Sequence, residues 1–191
     1  MVHFSGKARK MNHTPSHARA KRARGSIFTI KNKKNMVTMD WLLDKYGESH
    51  LNPINKLIHW ICVPSIVFSL FAVLYAIPFP VERGLFTNWA FVLYLAALVF
   101  YIRLSLPITI GMLLVCGAML FGVDAIFNAV GQDAAGLSKV ALGVFVIAWI
   151  GQFIGHKIEG KKPSFLDDLK FLMVGPAWLL SFIYKKMGIK Y

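Results

Sequence analysis

Six histidines occur in the 191 residues, and three of them, His50, His59 and His156, stand beside other side chains able to hold a metal or a ligand. Neutral imidazole is a versatile metal ligand, and sites of histidine and carboxylate with open positions suit non-haem iron and oxygen chemistry. Asn55 and His59 are four residues apart, which on a helix puts them on one face. Gln152, His156 and Glu159 follow the same stripe at i, i+4 and i+7. Each residue also has an ordinary reading. His50 could sit in the loop before Pro53, His59 could meet lipid headgroups, and His156 could accompany the lysines near it. Glu159 could pair with Lys157 or Lys162, and Gln152 could bond between helices. Three such coincidences on one face make the less economical account. Spacing alone therefore reaches a metal site and names no substrate.

The elements that must position these residues are apolar helices. The chain is 56% hydrophobic, with a mean hydropathy of +0.53, above the range of a water-soluble globule. A hydrocarbon core about 30 Å thick is crossed by roughly 20 apolar residues. No Asp, Glu, Lys or Arg occurs in Leu57 to Val81, Gly84 to Ile102, Leu104 to Val123 or Val140 to His156. These runs predict four transmembrane helices. A shorter uncharged run, Phe171 to Tyr184, contains Pro176 and suits a re-entrant or interfacial helix. The expected fold is thus an all-α, polytopic membrane bundle of four spans plus a short C-terminal segment, forming one membrane domain over residues 39–191.

Basic residues in short loops mark the cytoplasmic side. Lys45 and Lys56 precede the first span, and Lys157, Lys161, Lys162 and Lys170 follow the fourth, with Lys185, Lys186 and Lys190 at the terminus. The first and third connections carry only Arg83 and Lys139. Both termini are expected in the cytoplasm, in a bacterial inner membrane or the endoplasmic reticulum. With four crossings, the stretch entering span one and the stretch leaving span four end at the same face, so His50 and His59 can meet His156. Asp124 ends the third span at the other face and is left out of the site.

Residues 1–38 hold ten Lys or Arg and no acid. They have too few apolar residues to bury, and a disordered tail is expected. The tail could tether to anionic lipid, or translation could begin at Met36 or Met39; no nucleic-acid partner is expected. Cys62 and Cys116 both lie in uncharged runs, away from any CxxC pair, and read as packing residues. Trp60, Trp89, Trp149 and Trp178 read as interfacial or lipid-facing.

From Tyr46 to Pro64 and from Trp149 to Pro163 the chain resembles a family typified by the yeast-type 2-hydroxy fatty acid dioxygenase. Tyr46, His50, Asn52, Asn55, His59 and Pro64 carry the first block, and Gln152, Phe153, Gly155, His156, Glu159, Gly160 and Pro163 the second. Ser164 stands where relatives often have alanine. The resemblance covers roughly residues 39–184. It implies a multi-pass Fe(2+)-dependent enzyme that uses O2 to shorten a 2-hydroxy fatty acid by one carbon, the alpha-oxidation reaction. It further implies His50, His59 and His156 as iron ligands, with Glu159 as a fourth ligand or a base. Asn55 and Gln152 would orient the ligands or the substrate carboxylate, and Lys56 and Lys157 would attract it. Two rivals stand beside this reading: another membrane-bound lipid-modifying metal oxygenase, and a small non-enzymatic scaffold or transporter. The oxygenase rival calls for more histidines than the three available. The transporter calls for an inverted repeat, which the sequence does not display.

Overall fold

A computed structural model describes residues 37–160 and 171–191. The expectations for the basic tail, and the positions of Lys161, Lys162, Pro163, Ser164 and Lys170, lie outside the described residues. The described chain is helical: α1 (Met39–Gly47), α2 (Pro53–Ala76), α3 (Trp89–Ile102), α4 (Leu106–Ala129), α5 (Ala134–Ile158) and α6 (Val174–Met187).

The starts of α1 to α5 are written in short polar residues whose side chains accept from the otherwise unsatisfied first-turn N–H groups. Thr38 accepts from Trp41 N at 3.2 Å, Asn52 from Ile54 N at 2.8 Å, and Asn88 from Phe91 N at 2.8 Å. Ser105 and Asp133 begin α4 and α5 in the same way. Pro53 at the first position of α2 and Pro107 at the start of α4 take places where no helical N–H bond is lost.

Three of these helices, α2, α4 and α5, are long and apolar enough to cross a membrane. The remaining expected span forms helix only from Trp89. Residues 84–88 instead make a turn, where Asn88 Nδ2 donates to Gly84 O and Leu85 O. The resulting α3 has 14 residues, about 21 Å at ~1.5 Å per residue, short of a full hydrocarbon core by length alone. The C-terminal run forms α6, whose Ala177, Trp178 and Leu180 are buried in the bundle. Outward faces of the long helices remain apolar, with Val140 69% and Ile147 70% exposed on α5. In water such a surface would be an association hazard, whereas in lipid it is the ordinary outer face.

The tightest packing joins α2 to α5. A Cβ added at Gly151 would lie 2.6 Å from Cys62 Sγ, and one at Gly155 would lie 2.3 Å from Asn55 Oδ1. Only glycine permits this approach, and the pair forms the small-xxx-small pattern by which apolar helices pack closely in lipid. At the far end of α2, Tyr75 donates to Asp124 Oδ1 at 2.5 Å, and Asn128 donates to the same carboxylate at 3.2 Å. The first bond ties α2 to α4 away from the histidines, the second lies within α4, and together they account for Asp124 without a ligand role. Cys62 and Cys116 are buried free thiols, as expected. The expectation for the tryptophans divides: Trp60 and Trp89 are each 40% exposed, but Trp149 and Trp178 are each only 5% exposed and belong to the interior.

Candidate metal centre

Three segments bring the histidines together. His50 lies in the short connection between α1 and α2, His59 is on the second turn of α2, and His156 is on the last turn of α5. All three are buried, at 2%, 0% and 4% exposure. One ligand atom from each lies within 4.8 Å of the other two. The rings meet edge to face, with centroids 4.2 Å apart for His50 and His59 and 5.1 Å for each of them with His156. Among the described residues this is a group that can hold a metal ion.

Backbone carbonyls orient two of the rings. His50 Nδ1 donates to Tyr46 O at 2.6 Å and His59 Nδ1 donates to Asn55 O at 2.9 Å. A carbonyl only accepts, so in each neutral ring the hydrogen sits on Nδ1 and Nε2 presents its lone pair, the arrangement in which a hydrogen bond fixes the tautomer of a metal-binding histidine. The donor set of three buried imidazoles fits a divalent transition metal better than magnesium or calcium, which select oxygen ligands.

Glu159 caps α5 and reaches across to the His50 connection. Its Oε1 accepts from Leu51 N at 2.8 Å, while Oε2 accepts from Asn52 N at 2.9 Å and Asn55 Nδ2 at 3.0 Å. Burial pushes this carboxyl up, but the hydrogen bonds it accepts from Asn55, Asn52 and Leu51 outweigh it and hold the carboxyl below its ordinary value. Asn55, fully buried, also donates to Ser49 O at 3.1 Å, so one amide and one carboxylate tie the loop bearing His50 to the helix ends bearing His59 and His156. Gln152 is buried one turn before His156, beside a small cavity that it lines with Tyr46, Val63 and Trp149. Lys56 is half-buried and Lys157 exposed, on the outside of the same helix ends.

Two aromatic residues wall the triad. Tyr46 stacks on His50 with centroids 4.3 Å apart at 19°, and Trp178 lies 5.1 Å from the same ring. Trp178 comes from α6, far along the chain, and nothing in its local sequence separates it from an interfacial tryptophan. Gly151 and Gly155 also escaped a reading by polarity, although their spacing of four on an apolar helix is a packing signal.

Residues 36–187 match the family described as 2-hydroxy-palmitic acid dioxygenase Mpo1-like. The chain belongs to the Mpo1-like family. A curated relative, the 2-hydroxy-palmitic acid dioxygenase MPO1 of Saccharomyces cerevisiae, is 33% identical over 145 residues, spanning 75% of this chain and 78% of the yeast protein. No solved structure matches. The matched region of the Mpo1-like chain contains all three buried histidines as well as Asn55, Gln152 and Glu159.

Proposed function

We propose that this chain is an iron(II)-dependent membrane dioxygenase that removes one carbon from a 2-hydroxy fatty acid. The observation that carries this reading is the convergence of His50, His59 and His156 at one buried point within the matched region. The name of the yeast relative supplies the substrate class. Conversion of 2-hydroxypalmitic acid and O2 to pentadecanoic acid, carbon dioxide and water balances in atoms and electrons, so the overall reaction calls for no added reductant.

The three imidazoles would hold the iron and, being neutral, leave its positive charge available to an anionic substrate head. Bound iron(II) would supply the one-electron chemistry through which dioxygen becomes reactive. Tyr46 O and Asn55 O keep the His50 and His59 rings turned inward through their Nδ1 hydrogens. Glu159 serves as a positioning residue, since both of its oxygens accept from the His50 loop. Gln152 offers an amide to the hydroxyl or carboxylate of the head, and Lys56 and Lys157 raise the local concentration of the carboxylate form. Tyr46 and Trp178 exclude water from one side of the triad.

The reading includes four crossings with both termini in the cytoplasm. Support comes from the opposed directions of α2, which starts at the triad, and α5, which ends there, with α3 and α4 between them. The test is purification in detergent, measurement of bound iron, and incubation with 2-hydroxypalmitic acid under oxygen. Stoichiometric iron and pentadecanoic acid are expected; protein that folds but yields neither overturns the reading.

A further inference from the structure

Outside the triad, an apolar groove of about 120 Å³ opens between α2, α4 and α6. On α2 it is lined by Trp60, Val63, Pro64 and Val67, at i, i+3, i+4 and i+7. The same spacing recurs on α4 from Met112 to Met119 and on α6 from Pro176 to Ile183. Three helices thus each give one full stripe of about two turns, roughly 10 Å at ~1.5 Å per residue, to a trough running along the bundle. The lining carries no charged side chain. Its floor is buried, with Met112 at 1% and Cys116 at 4% exposure, while the rim residues Trp60, Val115 and Ile183 are exposed to 40%, 40% and 43%. A chain can therefore enter sideways from the lipid without passing through water.

The trough comes within one helical turn of the triad. Val63 follows His59 by one helical turn on the same face and lines both the groove and the small cavity holding Gln152. The start of α6 meets it there: a Cβ on Gly175 would lie 3.1 Å from Tyr46 Oη and 3.4 Å from Val63 Cγ1, and Tyr46 stacks on His50. At its other side the groove shares Val67, Met112, Cys116 and Pro176 with a second apolar cavity of about 60 Å³.

We infer that this groove is the acyl-chain site: a 2-hydroxy fatty acid places its head at the histidines and lays its chain past Val63 over Met112 and Cys116. The inference rests on the proposed function and adds where the chain lies and which residues measure its length. Cys116 and Met112 stand at the junction of the two cavities, so chains long enough to pass them continue into the second.

Photo-labelling tests the inference in the unaltered protein. Reconstituted protein is loaded with 2-hydroxyhexadecanoic acid carrying a diazirine in the distal third of its chain, irradiated and mapped by peptide mass spectrometry. Adducts are expected on α4 between Met112 and Met119 and on α6 between Leu179 and Ile183, suppressed by excess unlabelled 2-hydroxy acid. Adducts spread over the lipid-facing Val140 and Ile147 of α5, or adducts in the groove that unlabelled 2-hydroxy acid fails to suppress, indicate ordinary membrane lipid contact and overturn it. In parallel, Cys116→Trp should lower the ratio of long-chain to eight-carbon turnover at least tenfold, and an unchanged ratio counts against the groove. Groove adducts in protein that shortens no substrate leave the chain site standing and remove the reaction; shortened product with adducts confined to α5 does the reverse.

Discussion

At the scale of single residues, the triad is held from behind by groups that never touch a ligand. Removing His59 takes away one of three donors at a point with no exposure to solvent. His59→Ala should therefore abolish both stoichiometric iron and product, while Trp60→Ala, one residue along, should keep the iron. Retention of iron by both variants would show that the ligand set is wrong. Glu159 gives a different expectation. Glu159→Ala leaves Leu51 N, Asn52 N and Asn55 Nδ2 without their shared acceptor and loosens the loop carrying His50. Loss of such an outer partner costs about 10- to 100-fold in metal affinity or activity, and that range is expected in an iron titration. Glu159→Gln keeps one acceptor oxygen and should fall between Glu159→Ala and the parent. A carboxylate that bound the iron directly would instead make the Gln and Ala variants equally poor. The three histidines were legible as a candidate group because histidine near the end of an apolar run is costly to place without a partner. The task of Glu159 was not, because its partners, two backbone N–H groups and the Asn55 amide, lie more than a hundred residues away.

Between elements, the site depends on how closely α5 lies against α2. Gly155 faces Asn55 and Gly151 faces Cys62 at distances that leave no room for a methyl group. Gly155→Ala and Gly151→Ala should each destabilise the protein by about 1–3 kcal/mol through overpacking, read as a lowered unfolding midpoint in detergent. Gly143, on the same helix with nothing within 4 Å of its would-be Cβ, is the control: Gly143→Ala should be neutral or stabilising by up to about 1 kcal/mol through helix propensity. Adding Cys62→Ala to Gly151→Ala removes the sulfur in the way and should recover part of the loss, a coupling that a double-mutant cycle measures directly. The helices themselves were legible from uncharged runs and capping residues. What polarity could not supply was the α2–α5 contact, since two glycines in an apolar run signal no face until a partner helix is known. The same limit hid Trp178, whose burial against His50 is decided by where α6 docks. It also hid the late start of α3, where Asn88 holds Gly84 to Thr87 in a turn.

For the whole molecule, the triad constrains topology more strongly than hydropathy does. If only α2, α4 and α5 crossed the membrane, His59 at the start of α2 and His156 at the end of α5 would end at opposite faces. Their ring centroids are 5.1 Å apart, which argues that the leg through the short α3 also returns across. A 14-residue helix can do so when the bilayer thins locally or flanking residues complete the passage, at a modest cost per ångström of mismatch. Lys45, Lys56 and Lys157 cluster at the triad end, against Arg83 and Lys139 at the other, so the triad end should face the cytoplasm. Single cysteines in a Cys62→Ala, Cys116→Ala background test this in intact cells with a membrane-impermeant maleimide. Phe86→Cys, in the connection between α2 and α3, and Ala135→Cys, in the first turn of α5, both far from the triad, should label from outside. Leu51→Cys and Ile158→Cys should label only after permeabilisation. Labelling of Leu51→Cys and Ile158→Cys from opposite sides would break the four-crossing arrangement and, with it, the meeting of the histidines on which the metal centre depends.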